Sequence, residues 1–136
     1  MNEDSVIWND SYLVGLPNID EQHKKLVALI NSLFHSCKET GSAAKIAYAR
    51  AFSEIADYTQ THFKDEEVFL EKSGYPELPM HKVEHKNFVD EIWVQFAKFK
   101  EGSTPLVGLP RLLKAWLLNH IAIKDKKYAA FILSKK

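Results

Sequence analysis

The stretch HKVEH, His81 to His85, sets two imidazoles four residues apart, and HFKDE, His62 to Glu66, does the same with an imidazole and a carboxylate. Residues four apart on an α-helix lie about 40° from one another around the axis, so each pair aims two metal-competent side chains in one direction. Two such pairs on facing helices can close around a metal. Both pairs also fall on apolar seams. At the helical period His81 and His85 run on into Phe88, Ile92, Phe96 and Phe99, while His62 and Glu66 continue Phe52, Ile55 and Thr59 and lead to Phe69. Burying an imidazole or carboxylate without a partner costs roughly 1–3 kcal/mol, and more if a carboxylate is ionised. A metal centre would supply the partner.

The elements that must position these residues are helical. Residues 1–17 lack helical periodicity and contain Gly15 and Pro17, which predicts an extended arm pinned by Trp8, Tyr12, Leu13, Val14 and Leu16. Asn18 can cap a first helix over about residues 19–39, with Glu21 completing a capping-box-like pair and Asp20 at the positive end of the dipole. Its stripe is Leu26, Val27, Ile30, Leu33, Phe34 and Cys37, and His23 lies three residues before it. Taken alone, His23 reads as a partly exposed histidine at the end of a seam. His35 leans away. Gly41 can end this helix and Ser42 cap a second, running to about Lys72 with Gly74 as its stop. YPELP at Tyr75 to Pro79 is a turn, with Pro79 suited to the first turn of a third helix that extends to Glu101. Residues 102–110 (GSTPLVGLP) read as a loop or ragged start. A fourth helix is clear from Arg111, with Leu109, Leu113, Trp116, Leu117 and His120 on one side, and Tyr128 to Leu133 reads as a short helical tail. The expected fold is all-α: an antiparallel up-down-up-down four-helix bundle with an extended N-terminal arm and a C-terminal helical tail.

Composition narrows the class. A chain of 136 residues, 46% hydrophobic and 26% charged, fits one domain over residues 1–136. Eighteen basic residues balance eighteen acidic ones, leaving no net field to attract nucleic acid or an anionic membrane. The amino terminus MNEDSVIWND has no apolar h-region, and the longest apolar runs fall far short of the roughly 18–20 residues of a membrane span. The expectation is a soluble cytoplasmic protein. The single Cys37 reads as a small buried hydrophobe.

Five of the six histidines lie on or near inward faces: His23, His62, His81, His85 and His120. In an alternating bundle the start of the first helix, the end of the second, the start of the third and the end of the fourth share one level. Adding Glu66 and Asp125 gives a nitrogen-rich set of seven donors. Such a set suits iron, zinc or copper better than calcium or magnesium, and two metals sharing carboxylates better than one tetrahedral zinc. Asp125 resists this geometry, because five residues after His120 it lies about 140° round an ideal helix. On spacing alone it reads as a solvated acid in the charged run Lys124 to Lys127, unless the helix widens into a π-type turn or ends and bends back.

Taken in order, IDEQH (Ile19 to His23), HFKDEE (His62 to Glu67), GYPELPMHKVEH (Gly74 to His85) and WLLNHIAIKD (Trp116 to Asp125) resemble the hemerythrin family in its single-domain bacterial form, the bacteriohemerythrins. The likeness covers the chain from Trp8 onward. It implies a non-haem di-iron centre, two iron ions joined by an oxo or hydroxo bridge. His81, His85 and His120 would hold one iron, His23 and His62 the other, with Glu66 and Asp125 bridging. Leu117, one turn before His120, would wall an oxygen pocket together with Trp116. Glu67 reads as a surface acid.

The implied function is reversible dioxygen binding: a carrier, store or supplier to an oxygen-consuming enzyme, and not itself an enzyme. Ferritin-like di-iron sites use about four carboxylates and two histidines, whereas five imidazoles with two carboxylates favour returning the oxygen. The alternatives are peroxide or nitric oxide chemistry at the same centre, or an oxygen or redox sensor working through a partner.

Overall fold

A helix whose apolar residues recur every three or four positions has one face to bury, and four such helices can bury all four faces by closing into a ring. The computed structural model describes residues 6–37, 41–102 and 108–134. In it α1 spans Pro17–Ser36, α2 Gly41–Lys72, α3 Leu78–Gly102 and α4 Gly108–His120. A π-helical turn, Ile121–Asp125, joins α4 without a break to α5, Lys126–Leu133. Helix α1 packs on α2 and α4, and α3 packs on the same two. This is the ring of an antiparallel up-down-up-down bundle, and no strand occurs among the described residues. The interior holds Leu26, Ile30, Leu33 and Phe34 of α1, Phe52 and Ile55 of α2, Phe88 and Ile92 of α3, and Leu113 and Leu117 of α4. Phe69 and Phe96 edge this core, and Leu70 takes the inward position beside Phe69. No helix among the described residues is long and apolar enough to cross a membrane.

Several boundaries differ from the sequence expectation. Asn18 does not cap α1: the helix starts at Pro17, with Leu16 as its N-cap. Proline suits that first position because its missing N–H would be unpaired there anyway. No side chain caps the helix, and the Asp20 carboxylate instead reaches back to tie the arm to α1, accepting the backbone N–H of Val14 at 2.7 Å and of Gly15 at 3.2 Å. Helix α2 begins at Gly41, one residue ahead of Ser42, and α4 at Gly108 rather than Arg111. Pro110 is compatible with that first turn, where no N–H is required. The end of α2 is as expected. Gly74 takes a left-handed φ of 70°. Its N–H bonds Glu71 O and that of Tyr75 bonds Leu70 O, each at 3.1 Å, closing a Schellman motif. The expected end of the first helix at 39, residues 1–5 of the arm and 103–107 of the following loop lie outside the described residues.

The arm docks through Val6, Val14 and Leu16, with Trp8 and Tyr12 half-buried. Leu13, expected to pin it, faces solvent. A short 3-10 turn over Asp10–Tyr12, capped by Asn9, shifts the alternation so that Val14 points inward instead. Asn31 holds the start of the arm from both sides, accepting Val6 N–H at 2.7 Å and donating to Val6 O at 2.8 Å. Cys37 is half-buried at the end of α1, its thiol 3.4 Å from Leu33 O.

Asn31→Ala removes both arm bonds at once. At roughly 0.5–1.5 kcal/mol each, it should cost about 1–3 kcal/mol and speed proteolysis near Val6, while leaving the metal content of purified protein unchanged. Urea midpoints and limited proteolysis check this.

Candidate metal centre

His23 lies in the second turn of α1, His62 and Glu66 in the last turns of α2, His81 and His85 at the start of α3, and His120 at the end of α4. The alternating chain direction brings these positions to one level. With Asp125 they form a layer of seven polar side chains, none more than 4% exposed.

Asp125 joins this layer through the π turn. Lys126 N–H bonds Ile121 O, five residues back, and the wider turn carries Asp125 round to the side of His120. Its Oδ1 lies 3.2 Å from His120 Nε2, and its side chain is 1% exposed. The solvated reading of Asp125 is thereby replaced, and His23, 0% exposed, is not a surface histidine.

Each carboxylate straddles the layer. Glu66 Oε1 is 2.7 Å from His81 Nε2 and 3.2 Å from His85 Nε2, while its Oε2 is 3.2 Å from His62 Nε2 and 3.9 Å from His23 Nε2. Asp125 Oδ1 faces His81 and His120 at 3.5 and 3.2 Å, and its Oδ2 faces His23 at 3.0 Å. The layer therefore divides into two clusters, Glu66–His81–His85–His120 and His23–His62–Glu66, whose donor atoms lie within 4.8 Å of one another.

The donors fit a cationic occupant. His23 Nδ1 and Nε2, His85 Nε2, His120 Nε2 and Asp125 Oδ1 are buried without an aligned hydrogen bond, despite the short distances. Burial, then the neighbouring His85, lowers His120 to about 2, and burial lowers His23. Both stay neutral, the ligating form. Burial pushes the Glu66 carboxyl up, but the nitrogens of His62, His81 and His85 outweigh it and hold the group well below the usual range. Asp125 is pushed well above that range, first by burial and then by the Glu66 charge. A multivalent cation between them would favour the ionised form of both, reversing the rise at Asp125 and deepening the depression at Glu66. Tyr128 donates its hydroxyl to Glu66 Oε2 at 3.1 Å, and burial followed by the Glu66 charge raises its own pKa, so it remains a donor.

A family model described as the hemerythrin HHE cation binding domain matches residues 14–132. The chain belongs to the hemerythrin family. It is similar to the bacteriohemerythrin of Pseudomonas aeruginosa, 35% identical over 123 residues that cover 90% of this chain and 78% of that protein. The hemerythrin-like protein of Naegleria gruberi is 34% identical over 121 residues, covering 89% and 88%. A crystal structure of wild-type hemerythrin matches with a TM-score of 0.83 at 28% identity, covering 92% of this chain and 95% of that one. In this hemerythrin, then, the buried His and Glu groups can hold metal ions.

Sequence reasoning missed the outer partners of the imidazoles. Glu67 is not a free surface acid: its Oε2 accepts from His85 Nδ1–H at 2.8 Å. Gln22 Oε1 lies 2.5 Å from His62 Nδ1, and Glu84 Oε2 lies 3.5 Å from His120 Nδ1. Each is the chain neighbour of a layer residue, about 100° round its helix, and reaches a histidine on the next helix. Polar neighbours at a seam's edge are the signal, but a surface acid leaves the same trace. Trp116 is half-buried and stacks on His120 at 4.3 Å, as Phe63 does on His85 at 3.7 Å. Leu117, 4% exposed, lines an apolar cavity of about 10 Å³ with Leu26, Ile30, Thr59, Phe88 and Leu113 among others.

The depressed His120 pKa has a pH signature in chelator-treated protein. Below its ordinary value of 6.5 the unfolded chain takes a proton that the folded chain refuses until about 2, so this contribution to stability is complete above pH 6.5 and is lost as pH falls. Replacing His120 by Gln should flatten the fall in urea midpoint between pH 6.5 and 4 relative to the parent. Parallel curves for the two proteins would contradict it.

Proposed function

We propose that this hemerythrin binds dioxygen reversibly at a pair of non-haem iron ions, acting as an oxygen carrier or store. His81, His85 and His120 would hold one iron, His23 and His62 the other, and Glu66 and Asp125 would be shared between them. The observation that carries this reading is the division of both carboxylates, each with one oxygen toward each histidine cluster. Iron, when bound, supplies the electrons that dioxygen takes up on binding and gives back on release. The chain's own work is to position and to exclude. The five imidazoles present their Nε2 atoms, Tyr128 steadies Glu66 through its hydroxyl, and the stacked rings of Phe63 and Trp116 fix the His85 and His120 planes.

The apolar cavity supports the oxygen reading. Leu26 follows His23 by three residues, Thr59 precedes His62 by three, Phe88 follows His85 by three and Leu117 precedes His120 by three. All four helices thus contribute to a small space one turn inward from the ligand layer. At about 10 Å³ it scarcely admits one water. Leu117, with Trp116 beside it, walls the oxygen pocket on this reading, keeping water and protons from the centre.

Iron analysis should give about two irons per chain. Di-ferrous protein mixed with oxygen and then sparged with argon should return to the di-ferrous spectrum, whereas irreversible oxidation with turnover would mean an enzyme. Glu66→Gln and Asp125→Asn, whose neutral amides bridge two cations poorly, should each lose iron at least as severely as the roughly 10–100-fold typical of removing a ligand's outer partner. Leu117→Ala and Leu33→Ala should each destabilise by about 2–5 kcal/mol, but only Leu117→Ala should hasten decay of the oxygenated spectrum beyond what instability explains. Equal decay rates would reduce Leu117 to core packing.

A further inference from the structure

Around the bundle, each of the first three helices carries a polar residue that reaches the far nitrogen of a histidine on the next, and these residues differ in charge. His62 is backed by the neutral amide of Gln22 at 2.5 Å, and His23 Nδ1 has no hydrogen-bond partner. Both belong to the two-histidine cluster. In the three-histidine cluster, His85 and His120 face carboxylates. Glu84 Oε2 stands 3.5 Å from His120 Nδ1, beyond ordinary hydrogen-bond length, and its Oε1 is held 3.1 Å from Lys124 Nζ. Glu67 is different. Among the described residues it is the one anion outside the layer in a short hydrogen bond to a layer imidazole, at 2.8 Å.

A carboxylate accepting from Nδ1–H draws that hydrogen toward itself and leaves Nε2 more basic, a stronger donor to a bound cation. A stronger donor favours the higher charge on a metal. We propose that Glu67 is a redox-positioning residue: its hydrogen bond to His85 biases the three-histidine site toward the ferric state and makes the two iron sites unequal. This rests on the iron-pair reading above. The Nδ1 hydrogen stays in the hydrogen bond in both states, and one electron per iron passes to or from the added titrant.

The test is a mediated spectroelectrochemical titration of iron-loaded parent, Glu67→Gln, Gln22→Glu and Glu84→Gln, with iron per chain measured on the same samples. Glu67→Gln keeps an acceptor and removes the charge. It should cut the ferric preference about tenfold, raising the midpoint of one one-electron step by about 59 mV. Gln22→Glu sets the same charge behind His62 and should lower a midpoint, and Glu84→Gln should move one less than Glu67→Gln does. A parent with two irons and a Glu67→Gln variant with unchanged potentials overturns this inference and leaves the proposed function standing. A parent that does not take two irons overturns that function and this inference with it. If Glu67→Gln fails to load iron, Gln22→Glu decides: a downward shift supports the inference, and no shift overturns it.

Discussion

Two carboxylates and five imidazoles packed into one dry layer cannot all keep the charges they would have in water. Glu66 keeps its charge because nitrogens from α2 and α3 crowd its two oxygens, while burial first and then that charge drive Asp125 toward the neutral acid. Burial keeps His23 and His120 unprotonated. What results is a layer of buried nitrogen and oxygen donors, several without an aligned hydrogen bond, complementary to positive charge at its centre. The rest of the bundle holds that layer together.

The surrounding packing grades from polar to dry within one helical turn. At ligand level, Phe63 and Trp116 lie flat against His85 and His120, and Trp116 stacks in turn on Phe88 at 3.8 Å. One turn inward, Leu26, Phe88 and Leu117 face one another, and Thr59 adds the polar atom of that set. Aromatic faces restrict ring rotation without competing for the nitrogens. The reversible binding of dioxygen proposed above would need this combination of fixed donors and excluded water. The outer hydrogen bonds add a further control, because Gln22 and Glu67 each set which nitrogen of a neighbouring histidine carries the hydrogen.

Helix periodicity is local, and so the pairing of His62 with Glu66 and of His81 with His85 on shared faces was legible in the chain. So were the four helices, the stop at Gly74 and the common level of the histidines, since each follows from a repeat, a φ preference or a reversal of direction. The likeness to hemerythrin singled out His23 and Asp125, which spacing alone left as surface residues. Tertiary structure decided what depends on other segments. Asp125 turns inward only because α4 widens into a π turn as it continues into α5, where Tyr128 can reach Glu66. No side chain caps α1, and Asp20 instead ties the arm to it, because the folded arm brings the N–H groups of Val14 and Gly15 within reach. Glu67 was misread for the same reason: its partner His85 is eighteen residues away on another helix. Spacing along one helix says which way a side chain points. What it meets there depends on how the helices pack.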